Sequence, residues 1–261
     1  MKKLLFTLLC TGILFSCFAQ KPLFNGKDLK GWEIFIGVPI KGFEALKEKA
    51  TPESIYSVVS LEGQMVIRIS GDVLASLATK KEFENYHLRL EFKWGEKVYG
   101  TRNSGLLYHS FGDFGAAFGT WMTNIEHQLM HERLGDTYLM NNTCCETEVS
   151  KTNDGKFIYT KGAKVEKFGE GFNGRGIAKA LDAEKSLGEW NTVDLYCIGT
   201  TSVHVVNGKV VMVNNYCSKI EDGRKIPLSK GKIQIQSEGA ELFVRKVEIE
   251  KIRELPDCLG M

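Results

Sequence analysis

Nine residues from Tyr86 to Trp94 alternate without a break. Tyr86, Leu88, Leu90, Phe92 and Trp94 take one side, and His87, Arg89, Glu91 and Lys93 the other. Successive side chains of a strand point to opposite faces, whereas a helical stripe repeats every 3.6 residues, so this run buries its apolar set only as a β-strand. Gln64 to Ser70 repeats the pattern with Met65, Ile67 and Ile69. Further strands follow at Thr192 to Ile198, Val203 to Val206, Lys209 to Val213, Lys232 to Ser237 and Leu242 to Glu250. Asn207-Gly208 between two of them is a strong hairpin signal. Only Phe43 to Ala50 and Ala178 to Leu187 read as helices, both short, and Asn141 to Gly176 reads as a polar, glycine-rich excursion. The pattern predicts an all-β, antiparallel jelly-roll sandwich with one or two short helices, one domain over residues 20–261.

Charge and motifs narrow the function classes. The formal net charge of +2 is supplied by Lys2 and Lys3, which leaves no basic patch for nucleic acid or for an anionic membrane surface. No G-x-G-x-x-G, P-loop or G-x-S-x-G element is present, which argues against nucleotide cofactors and α/β-hydrolase chemistry. The opening MKKLLFTLLCTGILFSCFAQ has the two lysines, apolar run and small residues of a secretory signal. Cleavage after Ala19 would release a soluble chain. Leu14-Phe15-Ser16-Cys17 offers the alternative of a lipoprotein signal, with membrane attachment only if Cys17 is lipidated. Both routes predict export, to the periplasm or beyond. Five cysteines lie past this segment, with no pair of C-x-x-C motifs for a structural zinc.

The polar residues that suggest a site gather between Thr101 and Met140, where TRNSGLLYHS and MTNIEHQLM flank the loop FGDFGAAFGTW. Alternation groups Ile125, His127 and Leu129 on one face and Asn124, Glu126 and Gln128 on the other. In the first segment Leu106 and Tyr108 form the apolar set, leaving Asn103, Gly105, Leu107 and His109 opposite. If both strands belong to one sheet, Glu126, Gln128, His109 and Asn103 converge on one floor that is open to solvent. His127, lying between Ile125 and Leu129, reads as a structural histidine.

LFNGKDLKGW, NSGLLYH, IEHQLM, GEWN at Gly188 to Asn191, HVVNGKV at His204 to Val210 and GKIQIQSEG with FVRKVEI occur in order across nearly all of Pro22 to Arg253. In this the chain resembles the 3-keto-disaccharide hydrolase family. The resemblance implies a concanavalin-A-like jelly roll whose sheet binds sugar and cleavage of glycosides oxidised to a ketone at C3. It matches the family's motifs at Asn103, Ser104 and Gly105, at Glu126 and Gln128, at Glu189, Trp190 and Asn191, at His204, Asn207 and Gly208, and at Arg245. The chain departs at His109, where many relatives have arginine, and at Glu238, where many have histidine.

Such a substrate has an acidified proton at C2 and a leaving group at C1, so elimination needs a base, a polariser of the ketone and an acid for the departing oxygen. Glu126 is the candidate base and His109 the candidate acid. Asn103, Gln128, Trp121, Arg102, Trp190 and His204 are the candidates for holding substrate; both tryptophans, and His204, also fit structural roles. A divalent metal is left open, because His109, Glu126 and Asp136 are suitable ligand types but no spacing requires one. The expected partner is a glycan or an oxidised glycoside. Two rivals remain: a carbohydrate-binding module without turnover, and a conventional hydrolase with two carboxylates.

Overall fold

The computed structural model describes residues 20–260, so the expected signal segment, residues 1–19, with Cys17 as its alternative lipidation site, lies outside the described residues. Two antiparallel sheets face each other. The front sheet runs, in spatial order, through Trp32–Pro39, Val73–Thr79, the first part of Lys230–Lys251, Gly105–Phe111, Thr123–Gln128, Thr137–Met140 and Gly176–Ile177. The back sheet runs through Tyr56–Leu61, Gln64–Ile69, the second part of Lys230–Lys251, Tyr86–Asn103, Asn191–Ile198, Thr201–Val206 and Lys209–Glu221. This is the antiparallel sandwich that the alternation predicts.

The alternating run behaves as its pattern requires. Tyr86, Leu88, Leu90, Phe92 and Trp94 all enter the core, each contributing roughly 1.5–3 kcal/mol by burial. The polar set pairs across the outer face: His87 with Asp194 and Glu250, both at 2.7 Å, and Arg89 with Asp194 at 2.8 Å. From the front sheet Leu106, Tyr108, Ile125 and Leu129 meet this layer. Asn207 (φ +47°) and Gly208 (φ +79°) turn the hairpin with the two positive φ values that such a tight turn demands.

Two expectations fail for identifiable reasons. Residues 178–187 form no helix, because their backbone bonds leave the segment: Lys179 N donates to Asp136 Oδ1 at 2.9 Å and Ala180 N to Val211 O at 2.9 Å. The polar excursion instead holds strands at Thr143–Lys151, Phe157–Tyr159 and Val165–Gly169. Its buried alternate positions include Cys145, Thr147 and Val149, small residues whose polarity hides the period. The short helix that does form, Glu44–Glu48, falls within the expected stretch and is followed by a one-turn helix at Pro52–Ile55. The five described cysteines are all unbridged.

The strand Lys230–Lys251 leaves one sheet and enters the other at residues 238–240, where the register shifts twice. Gly239 (φ +97°) donates to Gly71 O at 2.9 Å, and a Cβ on Gly71 (φ +75°) would stand 2.0 Å from Ala240 O. Neither position tolerates a side chain without moving backbone. Gly71→Ala should therefore cost about 2–4 kcal/mol and lower the melting temperature by roughly 5–15 °C. A melting curve within a degree of wild type would contradict this account of the crossover.

Candidate active site

Glu126 lies on the outer face of the front sheet, as its alternation requires, while Ile125 and Leu129 pack in the core. Its cross-strand neighbours are Leu107 on one side and Tyr138 on the other. Leu107 belongs to a second, smaller apolar cluster with Ala117, Trp121 and Met140, flanked by Leu74 and Tyr138. The glycine-rich loop folds back to build this cluster and roofs the strand. Glu126 is consequently only 2% exposed, not solvent-open as its polar face suggests.

The apolar cluster and the polar floor enclose a cavity of about 350 Å³. Its polar lining consists of Asn103, Glu126, Gln128, Arg133 and Glu238, with Phe118, Trp121 and Met140 among its apolar walls. The Glu126 carboxyl passes over bare Gly105: a Cβ there would stand 2.2 Å from Glu126 Oε1 and 2.4 Å from Gln236 Oε1. Among the described residues Glu126 Oε1, both polar side-chain atoms of Gln236 and Asn103 Oδ1 have no hydrogen-bond partner. Gln128 Oε1 accepts from Met130 N at 2.9 Å, which points its amide NH₂ away from that bond and leaves it for a ligand. Arg133 Nε holds Asp136 at 2.9 Å and is the cation lining the cavity.

Burial without partners dominates the electrostatics. Desolvation pushes the Glu126 carboxyl well above its ordinary value, and the nearby Glu238 carboxylate pushes it further, with Arg133 opposing. Desolvation alone raises Glu238 to about 8. Two carboxyl groups of raised pKa facing one cavity can hold and release a proton near neutral pH, which is the property acid–base catalysis needs.

Several of the residues singled out in the sequence are not here. His109 carries φ +50° inside a one-residue bulge between Tyr108 and Phe111. The bulge reverses its side, so its ring packs against Tyr108 and Tyr86 in the core, at 5.2 and 6.3 Å, and does not reach the floor shared by Glu126 and Gln128. Gly231 permits this by lying against the His109 backbone. His204 is also in the core, stacked on His127 at 4.1 Å and bonded to Tyr108 and to Gly135 O. Trp190 covers the outer face of the opposite sheet, beneath Arg245 and Lys93 and bonded to Glu62 at 3.1 Å. Arg102 is not part of the cavity lining; its carbonyl accepts from His131 N. Asn103, Gln128 and Trp121 do line the cavity.

The candidate metal ligands do not meet either. Asp136 is spent on Arg133 and Lys179 N, and His109 faces the core. Among the described residues no group of three or more His, Cys, Asp or Glu is placed to hold a metal ion. Glu238, Arg133 and Gln236 join the site without having been selected in the sequence. The alternation Gln234, Gln236, Glu238 opposite Ile233 and Ile235 was the available signal.

The buried histidines predict a pH effect on stability. Desolvation lowers His109 to about 3 and His204 to about 4, and His127 falls well below its ordinary value for the same reason. Such groups stay neutral when folded but take protons when unfolded, so their contribution is present above about pH 6.5 and is lost as the pH falls. His109→Phe, which suits the aromatic surroundings, removes one of them. Its unfolding free energy should fall with acid less steeply than that of wild type, by up to about 1.4 kcal/mol per pH unit between roughly pH 6 and 4. Equal slopes in denaturant titrations would contradict the placement of His109.

Known proteins share the fold and identify the family. Two crystal structures from Parabacteroides distasonis ATCC 8503, each provisionally described as a glycosyl hydrolase, share the fold at 21% identity and a TM-score of 0.51. One alignment covers 90% of this chain and 100% of that one, the other 88% and 93%. Among curated proteins none matches the chain in sequence. The model of the 3-keto-alpha-glucoside-1,2-lyase-like domain matches residues 19–250, nearly the whole chain. The protein belongs to that family.

Proposed function

We propose that this chain cleaves 3-keto-glycosides, 3-keto-disaccharides among them, by elimination and hydration, with net hydrolysis of the glycosidic bond. The observation that carries this reading is the Glu126 carboxyl, buried, unpaired and facing a cavity with room for a sugar ring. A ketone at C3 makes the C2 proton removable by a carboxylate, and loss of the group on C1 then leaves an enone to which water adds. Charge develops on the ketone oxygen as an enolate. The Gln128 and Asn103 amides and the Arg133 guanidinium are the groups in the lining suited to stabilise it. Trp121 and Phe118 offer aromatic faces for the C–H surface of the ring. Export of the chain, which its first nineteen residues suggest, would place this activity where glycans are met outside the cytoplasm.

Glu238 in the same cavity favours a second reading, a conventional hydrolase using two carboxylates on an unoxidised glycoside. That route passes through a cationic, oxocarbenium-like transition state. The Arg133 guanidinium opposes such a charge and supports an enolate, which is why elimination is preferred.

Purified protein should cleave a 3-keto-disaccharide and release a 3-keto-sugar while leaving the unoxidised disaccharide intact. Glu126→Gln should slow this by roughly 10²-fold or more, since the amide cannot carry the proton, and should change substrate binding far less. Turnover of plain disaccharides would favour the two-carboxylate hydrolase. Binding of keto-sugars without turnover, with or without added divalent metal, would leave a carbohydrate-binding module.

A further inference from the structure

Resting on that reading, we infer that Glu238 is the second catalytic group and that the two carboxyl groups divide the work: ionised Glu238 takes the C2 proton, and protonated Glu126 gives one to the departing oxygen. The structure places both in one cavity lining from different strands, Glu126 on Thr123–Gln128 and Glu238 where Lys230–Lys251 changes sheet. Among the described residues neither side chain has an ion pair or hydrogen bond, although acidic side chains so placed are normally matched with a cation or with N–H donors. The cation in the lining, Arg133, is already engaged by Asp136. Two carboxyl groups so shielded from water and facing one cavity resist ionising together, so the first charge on the pair leaves a proton on the other group.

Burial decides where that proton rests. Glu126 is 2% exposed, lies between Leu107 and Tyr138 and covers Gly105, whereas Glu238 is partly exposed at the cavity. As the pH nears about 8, where Glu238 ionises, the charge appears on this better hydrated group while the proton stays on Glu126. The desolvated histidines are no alternative acid, since His109, His127 and His204 all face the core.

The reaction then balances. Glu238 takes the proton from C2, the C–H electron pair becomes the C1–C2 double bond, and the C1–O pair leaves with the aglycone oxygen, which receives the Glu126 proton. In the second half, Glu126, now ionised, takes a proton from water as its oxygen bonds to C1. The proton on Glu238 returns to C2. One water is consumed, and each carboxyl group ends as it began.

Leaving-group dependence tests this division. A sugar alkoxide needs a proton to depart, whereas 4-nitrophenolate does not. With the 3-keto forms of a disaccharide and of 4-nitrophenyl glucoside, each corrected for spontaneous decay, Glu238→Gln should lose roughly 10²-fold or more on both. Glu126→Gln should lose as much on the disaccharide but less than about tenfold on the nitrophenyl substrate. Glu238→Asp, which keeps the carboxyl, should recover part of the loss on both substrates, and melting curves of all three variants should show a folded protein. Equal losses for Glu126→Gln on both substrates would reverse the roles. A folded Glu238→Gln enzyme within a few-fold of wild type would remove Glu238 from the chemistry. Failure of the wild type to cleave either keto-substrate would overturn the elimination reading itself, and this assignment with it.

Discussion

One strand belongs to both sheets, and the rest of the molecule is arranged around it. Lys230–Lys251 pairs with Val73–Thr79 and Gly105–Phe111 in front, then with Gln64–Ile69 and Tyr86–Asn103 behind. A strand can do this only where its backbone turns without side-chain obstruction, which is what Gly71 and Gly239 provide. The crossover sets Glu238 beside Asn103 in register and brings Gln236 against the same bare glycine that Glu126 covers. Fold and candidate site therefore share one constraint. The backbone geometry that closes the sandwich also delivers the second carboxyl to the cavity.

The electrostatic character of the site follows from what surrounds that cavity. A carboxyl on the open face of a sheet would be solvated and ionised. Here the glycine-rich loop adds Ala117 and Trp121 above the strand, Tyr138 and Leu107 flank it, and the Glu126 carboxyl is left without hydrogen-bond partners. The loop itself holds unusual backbone, with Phe118 at φ +50° between Gly115 and Gly119, which are also positive. Phe118 remains 52% exposed despite this conformation.

Much of this was legible in the chain alone, and the failures have physical causes. Period two located the long strands, though not those of the polar excursion, and placed Glu126 and Gln128 together, because both lie on a regular stretch between paired neighbours. It misplaced His109 because one bulged residue inverts everything read by parity beyond it. His204 and Trp190 sit in segments that match the family's motifs, yet a motif carries no information on which face of which sheet its side chains take. His204 enters the core and Trp190 packs over Arg245 on the far sheet. Glu238 showed as a departure from the family's usual residue and in its alternation with Gln234 and Gln236. Its proximity to Glu126 depends on a crossover between sheets, which no local pattern encodes.

The central claim is that burial keeps Glu126 protonated, and that the charge on Glu238, once that group ionises near pH 8, keeps it so. Site-resolved ¹³C NMR titration of the Glu126 carboxyl, in wild type and in Glu238→Gln, measures this directly. The account predicts a wild-type midpoint well above the ordinary value of 4.5, with the carboxyl still protonated at neutral pH, and a lower midpoint in the variant, where the neighbouring charge is gone. A midpoint near 4.5 that does not respond to Glu238→Gln would contradict it.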